Sequence, residues 1–152
     1  MNKYINAQIR SFLEEDDMIA ALANVSACIA MNYDRLNWAG FYLVRNNELV
    51  LGPFQGKPAC THIAFDKGVC GACYREKAVQ RVDDVFARPE HIACDADSRS
   101  ELCVPILVNG DVVGEIDLDA PVKCRFTEKE EKEMLQAAEA IASAWVQHHW
   151  SV

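Results

Sequence analysis

The chain has 152 residues, of which 51% are hydrophobic and 25% are charged, so it can build a folded core and bulk disorder is excluded. A net charge of −8 and a pI near 4.9 disfavour binding to nucleic-acid phosphates or to anionic lipid headgroups. No apolar run approaches the roughly 18–20 residues that a membrane span needs.

The cysteine content is the unusual feature of this composition. The N-terminus lacks the apolar segment and the cleavage site of a signal peptide, so we expect a cytoplasmic protein. In a reducing compartment, an odd number of cysteines does not indicate a structural disulfide framework. We therefore expect core residues, metal ligands or redox groups among the seven cysteines, at positions 28, 60, 70, 73, 94, 103 and 124.

Two helices are predicted at the N-terminus. The first helix places four apolar side chains on one face: Ile5, Ile9, Phe12 and Leu13. An Ala-rich stretch over residues 18–31 predicts the second helix, which Asp16 or Asp17 would cap.

Two β-hairpins are predicted further along. The aromatic and β-branched run at 38–44 and the run at 48–51 flank the turn Asn46-Asn47. The second hairpin pairs 102–108 with 111–118 through the turn Asn109-Gly110. Between the hairpins we expect a helix at 69–77, a strand at 78–82 and a long polar loop at 83–98, which is typical of a functional loop.

The chain ends in a predicted helix that begins with a capping box formed by Thr127 and Glu130. Residues 128–133 are expected to be a solvated first turn. The expected apolar face is Leu135, Ala138, Ile141, Ala142 and Trp145. These elements predict an α+β fold of one domain over residues 1–152, a central antiparallel sheet with the N- and C-terminal helices packed on one face.

Three cysteines have contexts that are typical of reactive thiols. Cys60 follows Lys57 in a loop, Cys94 follows His91 in a polar loop, and Cys70 lies at the start of a predicted helix. Because the positive end of a helix dipole favours a thiolate, the pKa of Cys70 is expected to be low. The other reading of each is an inert buried thiol.

A zinc site is the alternative for the same residues. Cys70 and Cys73 form a CxxC pair, and four other residues offer ligands: Cys60, His62, His91 and Cys94. The second pair is not as tight as structural zinc sites require, so we expect no metal. A thioredoxin-type role for the CxxC lacks its usual βαβ context.

Acidic side chains on the second hairpin are candidate site residues. Asp117 and Asp119 are two apart on a strand and share a face, and Glu101 on the partner strand is expected to lie near them. They are either a solvated strand edge or a group that binds an amine or shares a proton. Trp38 and Tyr42 also share a face, as core aromatics or as the wall of a ligand site.

The remaining cysteines are interpreted as structural. Cys28 lies in an Ala-rich helix and Cys124 precedes the last helix. Cys103 is expected on the strand face opposite to Glu101.

An ordered set of motifs resembles one known family, the free methionine-(R)-sulfoxide reductases, which are GAF-domain enzymes. The motifs are LGPFQGKPAC, KGVCG, RPEHIACDADSRSE, VPI and GEIDLDA, and the match runs from about Trp38 to Asp119. Cysteine spacings of 10 residues (60 to 70) and 24 residues (70 to 94) make the set specific. The resemblance implies a cytosolic enzyme that converts free L-methionine-(R)-sulfoxide to methionine without a cofactor, with thioredoxin returning the electrons.

The resemblance also implies roles for individual residues. Cys94 matches the nucleophile, and Cys60 and Cys70 match the recycling cysteines, with Cys60 as the direct partner of Cys94. The wall around the S-methyl group is matched by Trp38 and Tyr42, and the acids around the sulfoxide and the ammonium by Glu101, Asp117 and Asp119. Cys73 and Cys103 depart from the family pattern, and Cys73 is an alternative resolving thiol.

A non-catalytic GAF module that senses a small molecule or the redox state is the alternative function. Such sensors are usually attached to an output domain, and none is recognised in the sequence, which favours the enzyme. The expected partners are free methionine-(R)-sulfoxide and thioredoxin, with a homodimer as an open possibility.

Overall fold

The computed structural model describes residues 4–88 and 94–152. The helices are α1 (Ile5–Phe12), α2 (Met18–Asn32), α3 (Gly68–Glu76) and α4 (Glu128–Gln147), with a short 3-10 helix at Val85–Ala87. The strands are β1 (Trp38–Arg45), β2 (Glu48–Gly56), β3 (His62–Ile63), β4 (Gln80–Val82), β5 (Ser100–Val108) and β6 (Asp111–Ala120).

The described strands form one antiparallel sheet in the order β3-β2-β1-β6-β5-β4. Both predicted hairpins are present, and the turn residues Asn46, Asn47, Asn109 and Gly110 all have positive φ. Strand β2 continues to Gly56, well beyond the predicted end, and the short strand β3 was not predicted.

Helices α1, α2 and α4 pack on one face of this sheet, as predicted. Asp17 caps α2 by accepting a hydrogen bond from the backbone N–H of Ala20 at 2.9 Å. The buried face of α4 is shifted from the predicted one, because Leu135 is 37% exposed and its neighbour Met134 is fully buried. That face consists of Met134, Ala137, Ala138, Ile141, Ala144 and Trp145. Among the described residues, no helix is long and apolar enough for a bilayer crossing.

The opposite face of the sheet carries α3 and a second, smaller apolar cluster. This cluster contains Trp38, Tyr42, Leu49, Ile63, Val69, Cys70, Cys73, Val82, Val85 and Cys103. The prediction that Cys103 lies on the face opposite to Glu101 is therefore wrong. Residues 101 and 103 are two apart on β5, and a strand places such residues on the same side.

The first turn of α4 is also not fully solvated. Glu130 forms the predicted capping box with Thr127, and it also pairs with Arg125 at 3.1 Å. The side chains of Arg125 and Glu130 are only 6% and 7% exposed. Burial opposes ionisation of Glu130, but hydrogen bonds from Thr127 and Arg125 outweigh it and lower the pKa of Glu130.

Replacing Glu130 by Gln is expected to destabilise the fold by about 1–3 kcal/mol, because a buried Arg125 loses its charged partner. Because the pKa of Glu130 is lower in the folded state than in the unfolded state, the stability that Glu130 contributes is fully present above the unfolded-state pKa. That contribution is lost as the pH falls through the folded-state pKa, so the variant and wild type should then become more alike. Urea unfolding at a series of pH values checks this. The matched control is Glu128→Gln in the same turn, and an equal loss in both variants would contradict the prediction.

Candidate active site

A cleft opens on the sheet face that carries α3. The period of two along β1, β5 and β6 directs alternate side chains into it, while the intervening side chains enter the helical core. The lining residues are Trp38, Tyr42, Ala59, Ile63, Gly68, Val69, Cys70, Cys94, Asp95, Ser98, Glu101, Asp117 and Asp119. All the site residues expected from the sequence therefore converge here, except Cys60, which is bonded to one of them.

A disulfide between Cys60 and Cys94 lies at the edge of this cleft. It joins the loop after β2 to the segment before β5, and this is the pair that the resemblance implies. The loop carrying Cys60 is held by the Tyr42 hydroxyl, which donates to the Cys60 carbonyl oxygen at 2.9 Å. Lys57 pairs with Asp97 at 2.6 Å and so ties the two disulfide-bearing segments together a second time.

The aromatic wall is formed by three stacked rings. The ring centroids of Trp38 and Tyr42 lie 5.8 Å apart, and those of Trp38 and Phe54 lie 5.1 Å apart. The Trp38 indole N–H donates to the Lys57 carbonyl oxygen at 3.2 Å, which fixes the plane of the ring. Trp38 and Tyr42 are therefore packed as core aromatics and also line the cleft, and their role as the wall of a ligand site stays a prediction.

Four acidic side chains, the carboxyl cluster, occupy the same face of β5 and β6: Glu101, Glu115, Asp117 and Asp119. Glu101 pairs with Asp119 across the two strands, as the hairpin register predicted. Glu101, Glu115 and Asp117 are buried and Asp119 is half-buried, so these residues do not form a solvated strand edge.

Burial raises the pKa of every member of the carboxyl cluster. For Glu101 the neighbouring charges of Asp117 and Asp119 raise the pKa further, and for Asp119 those of Asp117 and Asp95 do so. Like-charged groups at such short range cannot all ionise in a low-dielectric site. Burial and mutual repulsion therefore favour the protonated forms of these acids more than an exposed position would.

Asp95, at the rim of the cleft, has the opposite character. Partial burial opposes its ionisation, but hydrogen bonds from the Asp97 backbone N–H and the Asn37 amide, both at 2.9 Å, prevail and lower its pKa. The cleft thus combines carboxyl groups whose pKa values are raised with one, Asp95, whose pKa is lowered, and enzymes use such a difference to separate an acid from an anion.

Cys70 does not have the low pKa that its helical position predicted. It lies at the third residue of α3, but the side chain is only 4% exposed. A hydrogen bond from Cys103 favours the Cys70 thiolate, yet burial and the charges of Asp117 and Glu101 outweigh it, so the pKa of Cys70 is well above its ordinary value. The position of Cys70 in the helix could not predict this pKa, because the acids that raise it come from β5 and β6.

The zinc set considered from the sequence does not assemble among the described residues. Cys60 and Cys94 are bonded to each other, His62 pairs with Glu48 at 2.7 Å, and His91 lies outside the described residues. Cys70 and Cys73 instead lie near other acidic and thiol groups of β5 and β6.

Comparison with known proteins identifies the family. Residues 17–145 match the GAF domain. A relative named free methionine-R-sulfoxide reductase from Escherichia coli is 43% identical over 136 residues, which cover 90% of this chain and 81% of the relative. The chain belongs to the free methionine-R-sulfoxide reductase family of GAF domains.

Two further proteins support this membership. Protein YtsP from Bacillus subtilis is 50% identical over 136 residues, covering 88% of this chain and 83% of that protein. A solved structure of free methionine-R-sulfoxide reductase from Neisseria meningitidis, in complex with its substrate, superposes with a TM-score of 0.92 and 37% identity, covering 97% and 90% of the two chains. Both the expected family and its GAF fold are thus confirmed.

Sequence reasoning missed two acidic residues at this site of the GAF domain. Glu115 belongs to the carboxyl cluster, and its position two residues before Asp117 was a readable signal. Asp95 directly follows Cys94, but its pKa is lowered by hydrogen bonds from the Asp97 backbone N–H and from Asn37, which is 58 residues away in the chain. No local pattern indicates such a contact.

Proposed function

We propose that this protein reduces free L-methionine-(R)-sulfoxide to L-methionine, the activity that its relatives are named for. The observation that carries the proposal is the Cys60–Cys94 disulfide beside a cleft that contains buried carboxyl groups with raised pKa values. Sulfoxide reduction needs both components, a thiol that attacks sulfur and an acid that protonates the departing oxygen. Residues 1–152 are proposed to form one GAF domain.

Cys94 is the proposed nucleophile, because it lines the cleft and Cys60 does not. Its sulfur attacks the sulfoxide sulfur, the oxygen moves to Cys94 as a sulfenic acid, and methionine leaves. The Cys60 thiol then condenses with the sulfenic acid, releasing water and forming the disulfide. Such a cycle ends in a Cys60–Cys94 disulfide, and the presence of that bond in this structure supports the proposal.

Asp119 and Glu101 are proposed to protonate the sulfoxide oxygen. They face each other across β5 and β6, line the cleft, and have raised pKa values. Among the three acids that the resemblance implies, Asp117 is assigned to the substrate ammonium, and we add Asp95 at the rim, whose pKa is lowered. Trp38 and Tyr42 form the proposed wall for the S-methyl group.

Thioredoxin is the proposed reductant, and the reaction is placed in the cytoplasm, where a reducing thiol pool operates. Cys60 and Cys94 are half-buried rather than enclosed, so their disulfide is accessible to an external thiolate. A homodimer stays an untested prediction.

Substrate form tests the proposed function most directly. Because the cleft holds anionic and acidic groups suited to a free ammonium, we expect turnover of free methionine-(R)-sulfoxide, little turnover of the S epimer and almost none of a sulfoxide inside a peptide. The measurement is thioredoxin-coupled NADPH oxidation with the three substrates. Comparable rates with the peptide would exclude the proposed specificity, and no turnover of any substrate would favour a sensor module.

A further inference from the structure

Three thiols lie buried behind the cleft, and we call them the inner thiols: Cys70, Cys73 and Cys103. Cys103 and Cys73 are fully buried, and Cys70 alone of the three lines the cleft. The Cys103 thiol donates a hydrogen bond to the Cys70 sulfur across 3.8 Å. These two sulfurs are therefore neighbours, and a disulfide between them requires them to move closer together.

A separate carboxyl group accompanies each of the two sulfurs. The Cys103 thiol is 3.1 Å from Glu115 Oε1, and the other oxygen of Glu115 has no partner among the described residues. The Cys70 thiol donates to Glu101 Oε2 at 3.8 Å. Glu115 and Glu101 are themselves buried, so each of the two thiols faces a carboxyl group inside the fold.

We propose that Cys70 and Cys103 form an internal dithiol that reduces the Cys60–Cys94 disulfide and is itself oxidised to a buried Cys70–Cys103 disulfide. The enzyme would then complete a second turnover before it meets an external reductant. This inference rests on the proposed function, since the reductase reaction supplies the first disulfide.

The exchange needs no further reagent. The Cys70 sulfur attacks the Cys94 sulfur, so a Cys70–Cys94 bond forms, the Cys94–Cys60 bond breaks, and the proton that Cys70 loses is matched by the proton that the Cys60 sulfur gains. The Cys103 sulfur then attacks Cys70, which releases Cys94, and the proton that Cys103 loses is matched by the proton that the Cys94 sulfur gains. Two inner thiols are oxidised and one disulfide is reduced, with no net change in protons.

The surroundings of the inner thiols favour this direction of electron flow. A dithiol is a weak reductant when its thiolate form is stabilised, and here burial raises the pKa of Cys103, with the neighbouring thiols adding to the effect. The pKa of Cys70 is raised as well. A small thiolate fraction also makes the exchange slow, so the second turnover is expected to be slower than the first.

The test counts methionine formed by fully reduced protein after removal of reductant under anaerobic conditions. Wild type is expected to give about two methionines per chain in two phases, and Cys103→Ala about one, in the fast phase only. Cys73→Ala, which removes another inner thiol, is the matched control and is expected to keep both phases. One equivalent from wild type, or two from Cys103→Ala, would overturn the proposal.

Disulfide mapping of wild type oxidised with diamide gives a readout that does not depend on substrate. We expect a Cys70–Cys103 peptide pair whether or not the sulfoxide is turned over, so a failed proposed function and a failed inference give different results. Absence of that pair would overturn the inference even if Cys103→Ala does not fold. Stoichiometric metal in the reduced wild type would also overturn it, because the ligand atoms of Cys70, Cys103 and Glu115 lie within 4.8 Å of one another.

Discussion

Cys94→Ser is expected to form no methionine, even in a single turnover without added reductant. A serine hydroxyl is not ionised near neutral pH and cannot carry the oxygen as a sulfenic acid, so the reaction loses its first step. The measurement is methionine formed per chain by pre-reduced protein, followed by chromatography or mass spectrometry. Loss of activity should leave the melting temperature nearly unchanged, because Cys94 is only half-buried.

Two variants separate the nucleophile from its partner. Cys60→Ser should keep the first turnover largely intact and lose thioredoxin-coupled cycling, because the sulfenic acid then lacks its proposed direct partner. Cys28→Ser serves as the matched control, since Cys28 lies in α2 on the other side of the sheet. If Cys94→Ser still makes about one methionine per chain, the nucleophile lies elsewhere and Cys70 becomes the candidate.

Asp119→Asn and Glu101→Gln are expected to slow the chemical step by about 10²–10⁴-fold at saturating substrate, the usual effect of removing a general acid. Asp117→Asn should instead raise KM with a smaller change in kcat, because its assigned role is ammonium binding. Single-turnover formation of the sulfenic acid measures the step directly. Asp111→Asn, at the exposed start of the same strand, is the matched control.

The pH dependence of the same step tests whether these residues act as acids. Since the folded-state pKa values of Glu101 and Asp119 are raised, both are protonated below those values, and the proton available to the sulfoxide oxygen is lost as the pH rises through them. We therefore expect the rate of the chemical step to fall on the alkaline side in wild type. Near wild-type rates in all three cleft variants would show that the proton comes from another group.

Local patterns in the sequence determined most of the framework. Asn46-Asn47 and Asn109-Gly110 adopt positive φ, which few residues tolerate, so they predicted both hairpins independently of the rest of the chain. The Thr127–Glu130 capping box likewise depends on neighbours in the chain. The spacing of Cys60, Cys70 and Cys94 within ordered motifs was by itself enough to indicate the family.

The chemical state of the site was decided by tertiary structure alone. The helical position of Cys70 predicted a low pKa, whereas Asp117 and Glu101, brought against it from β5 and β6, raise it. Glu130 was expected to be a solvated acid, whereas the fold buries Arg125 against it. Ionisation depends on the dielectric and the charges within a few ångströms, and folding supplies these from residues distant in the chain. Turns and caps depend on adjacent residues, so the sequence by itself could determine them. It could not determine the pKa values of the cleft residues, because those depend on the folded chain.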